Sequence, residues 1–276
     1  MKNLILLVAL NLVGTTAFSK ILDLRSGEET SLDVISESGN IFVLGEFHYN
    51  SKIQEAQANT IEGITNLRKS EHFDVGWEFL NVDQYDEIMK SFERFISDEI
   101  SAKEFITEFL GPYDRNESYE ALFKPLKLRR GNLIPLNLSR SIKRPVSQGG
   151  IEALDPRYMP EDFQLGSQEY YDRFVEAMGG HGGMQIDNYF AAQSLVDNTM
   201  AASLLKYREG DISFLVCGSF HSDYNHGVVE ELNRRSNASI VSIKFIDGAG
   251  LEKEDIDKML YSDRYGSVAD FAIILP

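Results

Sequence analysis

Residues 41–48 read IFVLGEFH, and residues 212–221 read ISFLVCGSFH. Each stretch is a short apolar run that reaches a glycine and is followed by a histidine three residues later. Apolar runs of this length are typical of strands that are buried on both faces, as they are in a parallel sheet. The two stretches therefore predict strands of one parallel sheet, each with a histidine just beyond its carboxyl end.

Four more short, mostly apolar runs predict further strands, at residues 73–79, 132–138, 239–245 and 270–275. Helical patterns separate the strands, at about 51–69, 83–96, 101–109, 117–129, 168–178, 185–208 and 225–235. Strands that alternate with helices predict an α/β fold with a mostly parallel central sheet flanked by helices.

Local signals refine this prediction. Ser51 with Gln54 suggests a capping box at the first of these helices, and Asp83 suggests the cap of the second. Pro135 cannot donate a hydrogen bond to a ladder, so the strand at residues 132–138 should lie at the edge of the sheet or contain a bulge. The helical stretches at about 82–130 and 165–208 exceed what a crossover needs. We interpret them as a helical cap subdomain of one domain spanning residues 20–276.

The first 19 residues have the pattern of a signal peptide. Lys2 precedes the apolar run Leu4–Val13, and small residues stand at Ala17 and Ser19. We expect cleavage near Lys20 and a periplasmic or secreted chain with no lipoprotein cysteine. The apolar run is too short to span a bilayer, and no transmembrane segment is expected in the mature chain. Cys217 is the single cysteine, so no disulfide forms within the chain.

The charge of the chain excludes one class of partner. Its 276 residues include 27 Lys and Arg against 43 Asp and Glu, which gives a formal net charge of −16. Sequence-independent binding to nucleic acid needs several cations on phosphates. We therefore expect no nucleic-acid partner.

Polar residues follow several of the predicted strands. Ligands bind in open α/β sheets beyond the carboxyl ends of the strands, so these side chains should converge on one rim. They are Glu46, His48, Glu78, Asn137, Ser139, Arg140 and His221. Two carboxylates and two imidazoles on one rim suit a metal site, acid–base chemistry or an orienting hydrogen-bond network.

Three further features bear on a ligand. Residues 121–151 contain no Asp or Glu but seven cations, of which Arg140 lies nearest the rim, and such a patch would attract an anionic small molecule. The run 179–183 sets His181 among four glycines, which suits either a linker or a close approach to a ligand. The next helix carries a polar stripe that we expect to face the crevice, formed by Gln185, Tyr189, Gln193 and Asp197.

The order of these motifs resembles that of the ChaN-like haem-binding family, within a wider group that includes the Tiki proteases and erythromycin esterases. The resemblance rests on residues 45–48, 77–79, 137–140, 193–201 and 218–221, and on His181. It implies export, haem and iron uptake, and a homodimer that binds haem. It also implies a hydrolytic or metal-binding centre carried over to Glu46, His48, Glu78 and His221, with Glu46, His48 and His221 as the metal ligands.

Two hypotheses follow from the sequence. The first is an exported haem-binding protein for haem or iron uptake, with His181, His221, Tyr49 or Tyr224 as the axial ligand and Arg140 or Arg144 at the propionates. Gln193 and Asp197 are further candidates for contact with the cofactor. The alternative is a hydrolase, dependent on a divalent metal or on acid–base catalysis, in which Glu46 or His48 activates water and Glu78 and His221 complete the site.

Overall fold

The computed structural model describes residues 20–180 and 183–276. In this part of the chain the strands are β1 (Lys20–Asp23), β2 (Glu28–Glu29), β3 (Ile41–Glu46), β4 (Phe73–Asn81), β5 (Asn132–Asn137), β6 (Ile212–Gly218), β7 (Ile240–Asp247), β8 (Tyr261–Ser262), β9 (Gly266–Ser267) and β10 (Phe271–Leu275). Eight of them form one sheet in the order β2-β1-β10-β7-β3-β6-β4-β5.

The six predicted strands form the parallel part of this sheet, from β10 to β5. The predicted fold class is therefore confirmed. Pro135 lies in β5, which is an edge strand as its missing donor requires. The strands β1 and β2 were not predicted, and they extend the opposite edge in antiparallel pairing.

The α-helices of the described residues are α1 (Leu32–Ser38), α2 (Ser51–Arg68), α3 (Tyr85–Ile96), α4 (Ala102–Leu110), α5 (Tyr113–Asn116), α6 (Glu120–Arg129), α7 (Arg140–Gly149), α8 (Gln168–Ala177), α9 (Met184–Tyr207), α10 (Val228–Arg235) and α11 (Lys253–Leu260). All seven predicted helices are present, within a few residues of their expected ends. The short helices α1, α5 and α11, and the proline-containing α7, were missed.

Both predicted caps were wrong in detail. Asn50, not Ser51, caps α2, because its side chain accepts hydrogen bonds from the backbone of Lys52 and Ile53. Gln54 is consequently free to turn toward the end of β3. Asp83 lies in a short 3₁₀ turn before α3, and its carboxylate accepts a hydrogen bond from the backbone of Ser139.

The two long helical segments lie on opposite faces of the sheet instead of forming one cap. Alternate residues of a strand point to opposite faces. Phe42 and Leu44 pack in one cluster with α3, α4 and α6. Ile41 and Val43 pack in another with α9 and α10. The sheet is thus a middle layer, with α9 covering the face beside the predicted site.

Within the described residues, no helix combines the length and the apolar character needed to cross a membrane.

Candidate functional site

The first group of site residues lies at the end of β3. Glu46 is buried, and its Oε1 lies 2.9 Å from Nδ1 of His48. The hydroxyl of Tyr119 donates to the same oxygen at 3.0 Å, and Gln54 Nε2 donates to Oε2 at 2.9 Å. Three donors therefore fix this carboxylate, which in turn fixes one ring nitrogen of His48.

The second group lies between β4, β6 and α9. His221 Nδ1 is 2.7 Å from Oδ1 of Asp197, and its Nε2 is 3.4 Å from Oε1 of Glu78. The backbone N–H of Gly218 donates to the other oxygen of Glu78 at 2.6 Å. His221 thus bridges two carboxylates in the interior. We call Glu78, His221 and Asp197 the buried triad.

Gly218 brings the two groups together. A Cβ placed on Gly218 would lie 2.7 Å from Nε2 of His48 and 3.5 Å from Oε2 of Glu78. The first distance is shorter than non-bonded contact allows. A glycine at the end of β6 therefore lets His48 and Glu78 share one neighbourhood. Seven residues were predicted to converge at the sheet edge, and four of them, Glu46, His48, Glu78 and His221, lie together here.

The triad is an ionic arrangement. Burial lowers the pKa of His221, but the charges of Asp197 and Glu78 outweigh burial and raise it to about 10. Burial raises the pKa of Glu78, but attraction to His221 and the Gly218 hydrogen bond lower it to about 2. Burial also raises the pKa of Asp197, against the attraction of His221. At neutral pH His221 is therefore a cation held between its partners.

Gln193 links the triad to the exterior. Its Nε2 donates to the hydroxyl of Tyr170 at 2.9 Å and lies 3.0 Å from Nδ1 of His221. The hydroxyl of Tyr170 donates to Oδ2 of Asp197 at 3.0 Å. Tyr170 is fully buried, whereas Gln193 reaches an open crevice.

The crevice has a volume of about 660 Å³ and lies between α7 and the pair α8 and α9. One wall carries the cations Arg140, Lys143 and Arg144, all from α7. The rest of the lining is largely apolar and includes Phe174, Met178, Tyr189, Ala192 and Val196. Its volume falls within the range of about 300–1,000 Å³ that is usual for small-molecule sites.

Only some of the residues predicted to bind the cofactor line the crevice. Arg140, Arg144 and Gln193 line it. Asp197 does not, because its carboxylate is buried against His221 and Tyr170. His181 lies outside the described residues.

The axial-ligand candidates Tyr49, Tyr224 and His221 do not line the crevice either. Tyr49 is exposed at the mouth of the first group, where its ring contacts Tyr119. Tyr224 packs on Tyr265. His221 has both ring nitrogens beside carboxylates, which leaves neither for an iron atom in this arrangement.

Tyr119, Tyr170 and the contact of Gln54 with Glu46 were not predicted. Tyr119 comes from a single 3₁₀ turn and Tyr170 from the first turn of α8. Neither stands in a motif, so only the fold reveals that both hydroxyls reach site carboxylates. Of the polar stripe that was predicted to face the crevice, Tyr189 and Gln193 line it.

The predicted metal centre finds no support. Among residues 20–180 and 183–276, no group of three or more His, Cys, Asp or Glu side chains is placed to hold a metal ion. Glu46 and His48 bond to each other, and His221 bonds to the other carboxylates.

The chain and its fold are similar to known proteins. A family model described as haem-binding uptake, Tiki superfamily, ChaN matches residues 36–232. The fold is similar to that of ChaN of Campylobacter jejuni, in a structure described as cofacial haem binding, with a TM-score of 0.70. That likeness covers 93% of this chain and 96% of the other at 19% sequence identity. No curated protein matches the chain. Because the family match spans most of the chain, the chain belongs to the ChaN family of the Tiki superfamily.

Proposed function

We propose that this chain is a haem-binding protein that serves haem or iron uptake. The observation that carries the proposal is the crevice, which combines a cationic wall with apolar residues in a member of a haem-binding family. Haem has a matching division, since its flat ring is apolar and its two propionates are anionic. The residues present therefore fit haem as a cargo.

The lining suggests how haem would be held. Arg140 and Arg144 would bind the propionates, and Phe174 and Met178 would contact the ring. Tyr189 is the phenol that lines the crevice, and tyrosine is an established axial ligand of haem iron. His181 remains the alternative axial candidate from the sequence.

A haemin titration tests the proposal. The purified chain should give a saturable, shifted Soret band. The double variant Arg140→Glu/Arg144→Glu should bind about tenfold more weakly or worse, because both propionate partners are reversed in charge. Lys90→Glu/Lys124→Glu makes the same change of net charge on exposed positions away from the crevice and should bind as the unmodified chain does. Absence of a saturable band in the unmodified chain would refute the proposal.

Tyr189→Phe tests the axial contact separately. It keeps the ring and removes only the hydroxyl, so it should change the ligand-sensitive visible bands of bound haemin. Tyr49→Phe, outside the crevice, should leave those bands unchanged.

We extend the proposal to export and to a homodimer. A bacterial host should release the chain to the periplasm or medium with a mass that corresponds to a start near Lys20. Light scattering with and without haemin should show twice the monomer mass when haemin is bound. A full-length mass in the cytoplasm would refute export, and a monomer at saturating haemin would refute the dimer.

Acid–base hydrolysis is the second candidate function, and His48 is the observation that favours it. Glu46 orients its Nδ1, while the imidazole remains about one-third exposed with Nε2 over Gly218. An oriented imidazole beside carboxylates is an arrangement suited to a general base. A panel of ester and peptide substrates tests it. Turnover should be lost in both Glu46→Gln and His48→Gln, and turnover unaffected by either substitution would exclude this site.

A further inference from the structure

Lys143 differs from the other two cations of the crevice wall. Arg140 and Arg144 are exposed, whereas Lys143 is half-buried. Its Nζ donates to Oδ1 of Asn137 at 2.9 Å. Asn137 is itself buried at the end of β5, and the same oxygen accepts a hydrogen bond from the backbone of Leu138. Lys143 also lines the crevice, so a fixed acceptor holds its side chain at the crevice wall.

The ammonium is incompletely satisfied. It has three donors, and among the described residues only the neutral Asn137 oxygen accepts from it. Burial lowers the pKa of Lys143, and attraction to Glu78 and Asp83 offsets this only in part. A half-buried cation without an ion pair is costly to maintain. An anionic group of a ligand would pair with the ammonium and offset this cost.

The side of the crevice that faces the three cations limits which ligands can bind. Phe174, Met178 and Val196 offer apolar contact and no charge. A ligand that satisfies both sides has an apolar body and at least one anionic group at its edge. The hydrogen bond to Asn137 already orders Lys143, so its ammonium offers a charge at a defined point. Exposed, unpaired side chains such as Arg140 and Arg144 must lose more side-chain entropy to bind the same group.

We propose that Lys143, held by Asn137, forms a carboxylate subsite that selects ligands with a free carboxylate at the edge of an apolar body. This inference rests on the proposed function, for which that carboxylate is one haem propionate. Lys143 is then the specificity-determining cation, and Arg140 and Arg144 assist its attraction.

Haemin and haemin dimethyl ester test this proposal, because esterification removes the charge of both propionates and leaves the ring intact. The unmodified chain should bind haemin about tenfold more tightly than the ester. Lys143→Met should lose most of this preference, and Lys143→Arg should restore part of it. Lys124→Met removes an exposed cation that does not line the crevice, so it is the control and should keep the preference.

The outcomes separate the two proposals. If the unmodified chain binds neither compound saturably, the haem-binding function fails and the subsite fails with it. If the chain binds haemin but Lys143→Met keeps the preference, or Lys124→Met loses it equally, only the subsite is refuted. Binding of the ester by Lys143→Met shows that the variant is folded. If that variant does not fold, Lys143→Gln provides the same comparison.

Discussion

The buried triad and the cationic wall of the crevice meet at Gln193 but balance their charges in opposite ways. In the triad, the cation His221 lies between the carboxylates of Asp197 and Glu78. On the wall, Arg140 and Arg144 have no ion pair with any described residue, and Lys143 has only a neutral partner. Each ionised group of the triad thus has an oppositely charged partner within the chain, whereas among the described residues the cations of the wall have none within ion-pair distance.

This difference assigns the two regions different roles. A buried ion pair is strongly destabilising when one partner is lost, because the other remains in the interior without its counter-charge. The triad also orients Gln193, because the Tyr170 hydroxyl that donates to Asp197 accepts a hydrogen bond from the Gln193 amide. We therefore expect substitutions in the triad to act on stability, and substitutions on the wall to act on binding.

The largest effect is expected for Asp197→Ala. It removes the nearer partner of His221 and the acceptor of the Tyr170 hydroxyl. The free energy of unfolding at pH 7, measured with urea, should fall by roughly 3–5 kcal/mol. Glu254→Ala is the control, since it breaks an ion pair with Lys258 that is exposed, and it should cost less than about 1 kcal/mol. Equal losses in the two variants would show that burial of the ion pair does not set its contribution to stability.

A smaller effect is expected from alkaline pH. The pKa of His221 is raised to about 10 in the folded chain, against an ordinary value of 6.5. Its contribution to stability is therefore complete below about pH 6.5 and is lost as the pH rises through 10. Urea unfolding should show stability falling from pH 7 to 10, by roughly 1–3 kcal/mol more than in His221→Asn. Parallel curves for the two proteins would show that His221 is not the titrating group.

The next effect concerns the first group. Tyr119→Phe removes a buried hydroxyl that donates to Glu46 and leaves two other donors in place. A hydrogen bond to a charged group contributes roughly 1.5–3 kcal/mol to the free energy of unfolding. Because two donors to Glu46 remain, the loss should lie near the lower value. Tyr265→Phe removes a comparable but exposed hydroxyl–carboxylate bond to Glu176 and should change stability by less than about 0.5 kcal/mol. A similar loss in both variants would mean that burial does not set the cost.

The sequence could predict the parts of the site that depend on strand ends. Parallel strands deliver their carboxyl ends to one edge, so Glu46, Glu78 and His221 could be placed together before their contacts were known. Pro135 likewise limited its strand to an edge or a bulge, because its missing N–H cannot join a ladder, and β5 is an edge strand.

The sequence could not predict the contacts that long loops and helices bring in. Tyr119 meets Glu46 across 73 positions of the chain, and nothing local to either residue records that contact. Gln54 shows the opposite difficulty. Its local pattern suggested a capping box, but Asn50 takes the cap and Glu46 takes the Gln54 amide.

The smallest effect on stability is expected on the crevice wall. Arg140→Ala/Arg144→Ala removes two exposed side chains without ion pairs, so each should change the free energy of unfolding by less than about 0.5 kcal/mol in the absence of ligand. A ligand that binds only the folded chain stabilises it by about 2.7 kcal/mol at a hundredfold excess over its dissociation constant. Haemin should therefore raise the Tm of the unmodified chain more than that of the double variant. If the double variant is less stable without haemin, or if haemin raises its Tm equally, the two arginines contribute to stability, as the triad does, and not to binding.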